Sequence, residues 1–448
     1  RTCANQYAEA IEAMYRAALT GVSALARALV GIEPSPTEAQ TWISLADAIA
    51  LSIPSRIAPR QLLVDVSELV QRDSKSGIQR VVRNILQELL DHPPEGFRIE
   101  PVYATLQQGY RYARKFTLQF LDCPETVLTD DPIDYKAGDL LLGLDLQPHV
   151  VPVQHCFYQQ LRNHGVIVKF VVYDLLPILL PAAFPVGAAE VHQKWLQVVA
   201  ENDGVICISK AVAEELADWV KTNVFSRQRS FTIDWFHLGA DNDMSRFSQG
   251  MPVDAGSVLN KLAKRPSFLM VGTLEPRKGH AQVLAAFEKL WLEDVDANLI
   301  LVGKQGWMTE ALADRIRKHS EWGKRLFWLE GISDEYLEKV YAACNCLIFA
   351  SEGEGFGLPL IEAARHKVPI IARDIPVFRE VAGEHAFYFR GLDSPTLAHV
   401  IRDWLSLNAK GLAPQSFGMP WLTWRQSTEQ LMNRILLAGK KQTFHNTQ

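Results

Sequence analysis

The sequence predicts an α/β protein with two doubly wound, Rossmann-like domains that face each other across a cleft, preceded by a helical extension. Length is the first reason, since 448 residues suffice for two domains of ordinary size. Composition is the second, because 48% hydrophobic and 22% charged residues are typical of a chain with a packed core. The third is a regular alternation of apolar strand-like runs with helical stretches, which indicates parallel sheets covered by helices on both faces.

Bulk properties exclude several classes of protein. The formal net charge of −5 argues against a general nucleic-acid-binding protein. Six scattered cysteines without a CxxC pair are typical of reduced core thiols, which favours a cytoplasmic protein. No apolar run reaches the roughly 18 residues of a transmembrane helix. The chain begins with Arg1 and lacks a signal-peptide pattern, so we expect it to be an excised part of a longer polypeptide or a trimmed form.

Residues 1–60 are predicted to form an N-terminal helical extension or linker. Ala, Leu and Ile recur at helical spacing from residue 5 to residue 52, and a turn-forming segment at 32–38 interrupts them. Packing against the following domain is the preferred interpretation. A linker from a preceding domain, an oligomer contact and a membrane-surface contact are the alternatives, although the segment lacks the strongly basic character that membrane surfaces favour.

The first Rossmann-like domain is predicted over residues 61–241. Apolar runs predict strands at 62–69, 139–144, 166–173 and 203–209. Ligands of open parallel sheets bind at the carboxyl ends of the strands. Asp174 directly follows the third of these runs, so we expect its side chain to face the cleft.

A polar loop and an amphipathic helix follow the first strand of this domain. Gly77 lies on the loop, where it would either admit a phosphate or a hydroxyl group or serve as a simple turn residue, and the pattern favours neither. Arg80 and Arg83 lie on the helix. One of them is a candidate cation of the cleft, and the other is a solvated surface residue.

A second alternation of strands and helices begins after residues 242–266, a polar, proline-containing segment that is predicted to be the interdomain linker. The second domain is predicted over residues 267–416. Its strands are expected in FLMVG, NLILVG, RLFWLEG, NCLIFAS and VPIIARD. Residues 417–448 are expected to form a C-terminal helix whose tryptophans pack.

The loop after the first strand of the second domain carries Arg277 and Lys278. Two cations at the carboxyl end of a strand would neutralise a diphosphate and stabilise it as a leaving group. A charged loop that is simply solvated is the alternative.

The most informative stretch is LIFASEGEGFGLPLIEAAR, from Leu347 to Arg365. An apolar strand leads into a glycine-rich turn and then into a helix that Pro359 opens. The free N–H groups of the first helical turn suit a phosphate. Two acids frame the turn: Glu362 would accept hydrogen bonds from a vicinal diol such as a ribose, and Glu354 would face the reacting end of the same ligand. Two solvated surface acids are the alternative.

This E-x7-E pattern resembles the signature of retaining nucleotide-sugar glycosyltransferases of family 4, which have the GT-B fold. EPRKG, at residues 275–279, is similar to the diphosphate clamp of that family, and SGIQRVVRN, at 76–84, is similar to its glycine loop. FHLGAD, at 236–241, resembles the last strand of the first domain. The resemblance extends from about Leu62 to the end of the chain, and the terminal helix is similar to one that crosses back to the first domain.

The resemblance implies roles for individual residues. Glu354 would contact the donor sugar at the reaction centre, Glu362 would bind the donor ribose, and Arg277 and Lys278 would hold the diphosphate. Asp174 lies in YDLLPILLP, which is similar to a family segment whose preceding His touches the donor sugar; here that position is Tyr173. Further donor contacts are implied for residues of the two glycine loops, the loop beside the donor cleft and the backbone that edges the nucleobase: Gly355, Phe356, Gly357, Leu358, Gly77, Gly303 and Ile332.

The activity that the resemblance implies is transfer of a sugar, with retention of configuration, from a nucleotide held by the second domain to a hydroxyl presented by the first. The segments VVYDLLP, VGTLEPRKGH and WLTWRQS most resemble mannosyltransferases that build O-antigen polymannose, so GDP-mannose is the expected donor and a growing bacterial surface polysaccharide the expected acceptor. Two alternatives are a nucleotide-sugar epimerase on the same fold and a non-catalytic nucleotide-sugar-binding module of a larger polymerase.

No metal or other cofactor is expected. No His or Cys cluster has ligand spacing, and the DxD pattern at Asp294 to Asp296 precedes a strand, which favours a surface turn. Charge neutralisation would fall to Arg277, Lys278 and the helix N-terminus. The expected partners are the nucleotide sugar, a glycan or lipid-linked glycan acceptor, and other polysaccharide-assembly proteins or adjoining domains, but no nucleic acid. The expected location is the cytoplasm, including the inner face of the cytoplasmic membrane.

Overall fold

The structure is a computed structural model that describes residues 59–72, 76–123, 128–223, 230–241 and 248–437. Residues from Arg60 onward belong to one compact unit. The predicted helical extension lies outside the described residues, apart from positions 59 and 60, and stays a prediction. The described cysteines are all free thiols.

The first domain contains a seven-stranded sheet in the order β3-β2-β1-β4-β5-β6-β7. All neighbours are parallel except β3, which pairs antiparallel with β2. The strands are β1 (Arg60–Asp65), β2 (Phe97–Tyr103), β3 (Arg111–Tyr112), β4 (Leu140–Gly143), β5 (Ile167–Val172), β6 (Gly204–Cys207) and β7 (Thr232–Trp235).

Helices and a short 3-10 turn, Pro181–Ala183, connect these strands. The described helices are α1 (Ser67–Gln71), α2 (Gly77–Asp91), α3 (Arg114–Phe120), α4 (Val150–Val153), α5 (His155–Asn163), α6 (Leu176–Leu179), α7 (Ala188–Ala200) and α8 (Lys210–Thr222). Because parallel neighbours need long crossovers, this alternation of strand and helix is what a parallel sheet requires.

The second domain contains a six-stranded, all-parallel sheet in the order β10-β9-β8-β11-β12-β13. The strands are β8 (Ser267–Val271), β9 (Asn298–Val302), β10 (Leu326–Leu329), β11 (Cys346–Phe349), β12 (Ile370–Arg373) and β13 (Phe387–Phe389). The direction of winding reverses between β8 and β11. In doubly wound sheets this switch point opens the crevice in which ligands bind.

The described helices of the second half are α9 (Ala255–Leu262), α10 (His280–Leu292), α11 (Glu310–Arg317), α12 (Asp334–Ala343), α13 (Leu358–Arg365), α14 (Pro376–Ala382), α15 (Ser394–Ala409) and α16 (Trp424–Leu437). Helix α9 lies within the segment predicted as the linker. Helix α16 returns to the first domain, where it packs on α2 and Lys169 Nζ donates to Ile435 O at 3.1 Å.

Each sheet is buried on both faces. Strands β4, β6, β9, β11 and β12 are buried along their whole length, which explains their nearly continuous apolar sequences. Each domain has an apolar cluster of its own. Another apolar cluster joins the two domains and includes Tyr173 and Ile208 from the first domain and Phe356 from the second. The predicted architecture of two doubly wound domains is therefore confirmed.

Two predicted strands need correction. The first ends at Asp65 rather than at Leu69, because the Asp65 carboxylate accepts hydrogen bonds from Ser67 N at 2.9 Å and from its hydroxyl, and so turns the chain into α1. The segment FHLGAD is not the last strand of the first sheet, which is β7. It leaves the sheet and runs beside the returning chain, where Ala240 N–H donates to Leu422 O at 3.0 Å. Strands β2, β3, β7 and β13 were not predicted.

A carboxylate of the second domain caps the N-terminus of helix α8, which belongs to the first domain. Glu380 on α14 accepts hydrogen bonds from the backbone N–H groups of Lys210 at 2.7 Å and Ala211 at 2.8 Å, and from His237 Nε2 at 2.7 Å. Burial alone would raise the pKa of Glu380, but these three donors hold it below its ordinary value. N–H groups in a first helical turn have no partner within the helix, so this carboxylate also joins the domains.

We therefore expect Glu380→Ala to lower the free energy of unfolding by about 2 kcal/mol, the upper range for losing a helix cap. Chemical denaturation at pH 7 measures it. Glu384→Ala is the matched control, because Glu384 is exposed nearby in the chain, and should change stability by less than about 0.5 kcal/mol. Equal effects of the two substitutions would contradict the role given to Glu380.

Candidate active site

Two loops from the switch point of the second sheet build the site. One follows β8 and contains a 3-10 turn at Pro276–Lys278; the other follows β11 and is the glycine-rich turn before α13. Gly279 has φ +75°, and a Cβ there would lie 2.5 Å from the carbonyl oxygen of Ala350. Only glycine lets the first loop pack this closely on the end of β11.

The two loops meet through a buried cluster of charges. Lys278 Nζ forms an ion pair with Glu354 Oε1, and Arg277 Nη1 lies 3.1 Å from the same oxygen. Arg277 also donates to Gly353 O at 2.9 Å, and its Nη2 lies 3.1 Å from Glu275 Oε2. The side chains of Arg277, Lys278 and Glu354 are only 10–14% exposed. The sequence-predicted pair of cations and the first of the two acids therefore lie together.

Glu354 is ionised in this setting. Burial alone would raise its pKa, but the neighbouring Lys278 and Arg277 lower the pKa to about 2. The guanidinium of Arg277 lies between Glu354 and Glu275. Burial raises the pKa of Glu275, and the charge of Arg277 lowers it part of the way back. Arg277 Nε is buried without a hydrogen-bond partner among the described residues. The cluster thus combines a permanent carboxylate with two cations beside the crevice.

The glycine turn packs against the carboxyl ends of strands in the first domain. A Cβ on Gly355 would lie 2.1 Å from the carbonyl oxygen of Tyr173, so a side chain there would push the domains apart. Ser209 Oγ donates to Gly355 O at 2.7 Å. Gly357, with φ +101°, is the N-cap of α13, and a side chain there would be strained.

The neighbouring turn residues are buried in the same contact. The Phe356 ring lies 5.4 Å from the ring of His237, and Leu358, the first residue of α13, is half-buried in the cluster that joins the domains. Both residues support the turn from the apolar side.

Glu362 projects from α13 and is the second acid. Its carboxylate is 8% exposed, accepts a hydrogen bond from Arg80 Nη1 at 2.5 Å, and accepts another from the Tyr341 hydroxyl at 2.8 Å. Arg80 comes from α2 of the first domain. Of the two candidate cations on that helix, Arg80 is therefore the one in the cleft; Arg83 lies over the Phe120 ring at 5.9 Å.

Asp174 reaches the charge cluster from the first domain. It follows β5, and its carboxylate accepts a hydrogen bond from Leu176 N at 3.0 Å. Its negative charge raises the pKa values of Arg277 and Glu275. The Tyr173 side chain, in contrast, is buried and donates its hydroxyl to Leu144 O at 2.8 Å. It is the backbone carbonyl of Tyr173 that meets the glycine turn, so the structure does not present its hydroxyl to a sugar.

The three remaining predicted donor contacts are more dispersed. Gly77 is the exposed first residue of α2, and a Cβ added there would have no heavy atom within 4 Å among the described residues. Gly303 follows β9 with φ +148°, and a Cβ there would lie 2.1 Å from Gly272 O, at the start of the loop that carries Arg277 and Lys278. Ile332, between β10 and α12, is half-buried. Their roles toward a donor stay predictions.

Several residues that position the site were missed from the sequence. Arg373, at the end of β12, is buried and donates to Ala350 O through Nε at 3.0 Å and Nη2 at 2.8 Å, which fixes the end of β11. An arginine closing an apolar strand beside β11 was the available signal. Tyr341 gave no signal of its own, because its partner Glu362 is 21 positions away. Glu275 lies in the EPRKG segment, but the pattern does not show that it shares the Arg277 guanidinium with Glu354.

No group of three or more potential metal ligands lies together in the described part of the chain. In the predicted surface turn, Asp294 has φ +60° and Asp296 Oδ1 lies 3.1 Å from Arg265 Nε; the turn precedes β9, at the opposite end from the site. Among the described helices, none combines the length and apolarity needed to cross a membrane.

Comparison with known proteins assigns the second domain. Residues 257–414 match the family model of glycosyl transferases group 1. The chain carries a glycosyl transferases group 1 domain. The matched residues include Arg277, Lys278, Glu354 and Glu362, so the family model supports the resemblance of these motifs to glycosyltransferases.

Relatives in sequence cover more of the chain. It is 45% identical over 379 residues to the serotype-specific mannosyltransferase WbdA of Escherichia coli, which covers 84% of this chain and 45% of WbdA. It is 30% identical over 196 residues to the O-antigen chain mannosyltransferase B of E. coli, covering 42% and 50% of the two chains. The chain thus spans about half the length of these relatives.

Solved structures confirm the predicted GT-B fold. Sucrose-phosphate synthase from Thermosynechococcus elongatus superposes with a TM-score of 0.59 at 19% identity, covering 85% of this chain and all of the other. HepE from Anabaena, crystallised with UDP and glucose, gives 0.53 at 16% identity, covering 84% and 95%. These similarities concern the fold alone.

The lowered pKa of Glu354 predicts how stability depends on pH. The folded pKa of about 2 lies below the ordinary 4.5, so the unfolded chain binds more protons between these values and the ion pairs stabilise the fold fully above about pH 5. We expect Glu354→Gln to lower the free energy of unfolding by about 3 kcal/mol at pH 7, and the difference to shrink as the pH falls from 4.5 toward 2.

Urea denaturation of both proteins from pH 7 to pH 3 measures this difference. Glu352→Gln is the control, since Glu352 is exposed two residues away and its substitution should have little effect at any pH. A difference that is independent of pH would show that Glu354 is not held ionised by the two cations.

Proposed function

We propose that this chain catalyses transfer of mannose from GDP-mannose to a hydroxyl of a growing O-antigen-type polysaccharide, with retention of configuration. The observation that carries the proposal is the buried, ionised Glu354 between Lys278 and Arg277 at the switch point of the second sheet. The names of the mannosyltransferase relatives support the choice of sugar and acceptor.

The donor would lie along the carboxyl ends of β8 and β11. Lys278 and Arg277 would contact the diphosphate, whose negative charge they neutralise, and Glu362 would accept hydrogen bonds from the ribose hydroxyls. Glu354 would then face the sugar. The diphosphate would thus lie at the loop after β8, and the sugar and the ribose at the loop and helix after β11, on either side of the switch point.

In the reaction the bond between the anomeric carbon and the diphosphate oxygen breaks, and GDP leaves with the bonding electrons. Lys278 and Arg277 stabilise the charge that develops on the leaving group, and the Glu354 carboxylate stabilises the positive charge that develops on the sugar. The acceptor oxygen bonds to the anomeric carbon on the face that GDP leaves, and its proton passes to the departing phosphate. The packed domain contact excludes water, which would otherwise hydrolyse the donor.

The first domain would present the acceptor. The charge of Asp174, in that domain, raises the pKa of Arg277, and Ser209 binds the glycine turn directly. Asp174 would therefore orient the reacting ends of donor and acceptor toward each other. A glycan or lipid-linked glycan would be the acceptor, and the name of one relative, an O-antigen chain mannosyltransferase, supports a glycan.

Transfer activity of the purified full chain tests the proposal. We expect GDP-mannose and a short mannose oligosaccharide to yield the extended glycan and GDP, detected by mass spectrometry. Glu354→Gln and Lys278→Met should each lower kcat by about 100-fold or more, the usual cost of losing one charge-stabilising group. Glu352→Gln should leave kcat unchanged.

Three results would contradict the proposal. Conversion of GDP-mannose to an epimer without an acceptor would indicate an epimerase, and nucleotide binding without turnover would indicate a binding module. Full activity of a folded Glu354→Gln protein would show that the acid has no catalytic role.

A thermal-shift series with GDP, UDP, ADP and dTDP sugars identifies the nucleobase of the donor, because a ligand that binds the native state raises the apparent stability of the protein.

A further inference from the structure

The ion pair between Arg80 and Glu362 occupies the place proposed for the donor ribose. Arg80 Nη1 lies 2.5 Å from Glu362 Oε1, and the Tyr341 hydroxyl lies 2.8 Å from Oε2. Both carboxylate oxygens therefore accept a strong hydrogen bond from the protein. A ribose diol needs one or both of the same oxygens.

The space around the pair is too small for both partners. The cavity beside Glu362 has a volume of about 20 Å³ and is lined by Arg80, Asp334, Leu337, Glu338, Tyr341, Glu362 and His366. A volume of this size holds about one water molecule. The diol of a ribose can therefore hydrogen-bond to Glu362 only if the Arg80 guanidinium moves away from the carboxylate.

Movement of Arg80 is feasible, whereas Tyr341 is fixed. The Arg80 side chain is 36% exposed and belongs to the other domain, while Tyr341 is fully buried and its ring stacks on His366 at 4.9 Å. Asp334 and Glu338 line the same cavity, so the displaced guanidinium would remain in acidic surroundings. Tyr341 would keep holding Glu362 in either state.

We propose that Arg80 sets the affinity for the donor by competing with its ribose diol for Glu362. Before a donor binds, Arg80 satisfies the buried carboxylate and ties the first domain to α13. Nucleotide binding exchanges this cation for the two ribose hydroxyls, so part of the binding free energy is used to break the ion pair. The proposal rests on the proposed function, because it takes Glu362 as the ribose ligand.

Calorimetric titration with GDP and with 2′,3′-dideoxy-GDP tests the competition. Arg80→Met removes the charge and the donors but keeps a long side chain, so GDP should bind about tenfold more tightly, the equivalent of one charge-assisted hydrogen bond. Dideoxy-GDP lacks the diol and should bind Arg80→Met and the unchanged protein equally well. Arg83→Met, one turn along the same helix, should alter neither affinity.

The same titrations separate failure of this proposal from failure of the proposed function. In a Glu362→Gln protein GDP should bind more weakly, and adding Arg80→Met should bring no gain. If Glu362→Gln weakens GDP binding but Arg80→Met does not tighten it, or tightens GDP and dideoxy-GDP alike, the competition is wrong. If Glu362→Gln leaves GDP affinity unchanged in folded protein, the placement of the ribose is itself wrong.

Discussion

The contact on which the rest of the site depends is the buried meeting of Glu354 with Lys278 and Arg277. A carboxylate that is 10% exposed is costly unless cations replace its water, and two do so here. The cations follow β8 and the acid follows β11, so the contact exists only because these strands are neighbours. The strand order, the close packing at Gly279 and the anchoring of β11 by Arg373 all serve this one geometry.

The first domain is bound to this site by polar contacts as well as by apolar packing. Ser209 holds the carbonyl of Gly355, Glu380 closes the first turn of α8, and Arg80 satisfies Glu362. Each contact joins one group from each domain at or near the crevice. A donor whose ribose hydroxyls replaced Arg80 on Glu362 would break one of these contacts between the domains.

Much of this arrangement could be predicted from the sequence. The strands of the second sheet are short, apolar and separated by helical runs, so strands β8 to β12 were correctly located by pattern alone. The motif residues Arg277, Lys278, Glu354 and Glu362 were found from their spacing and from family resemblance. Strand ends were less certain, because the turn at Asp65 depends on a side-chain hydrogen bond that apolar periodicity does not reveal.

What the sequence did not reveal are contacts between distant residues. Arg80 and Glu362 are 282 positions apart, and Glu380 and Ala211 are 169 apart, so no local pattern links them.

A crystal structure with bound GDP-mannose is the most direct test of the donor site at Lys278, Arg277 and Glu354. It should show the diphosphate within hydrogen-bonding distance of Lys278 and Arg277 and the ribose on Glu362. A nucleotide bound elsewhere, with the ion pair of Lys278 and Glu354 facing no ligand, would contradict it.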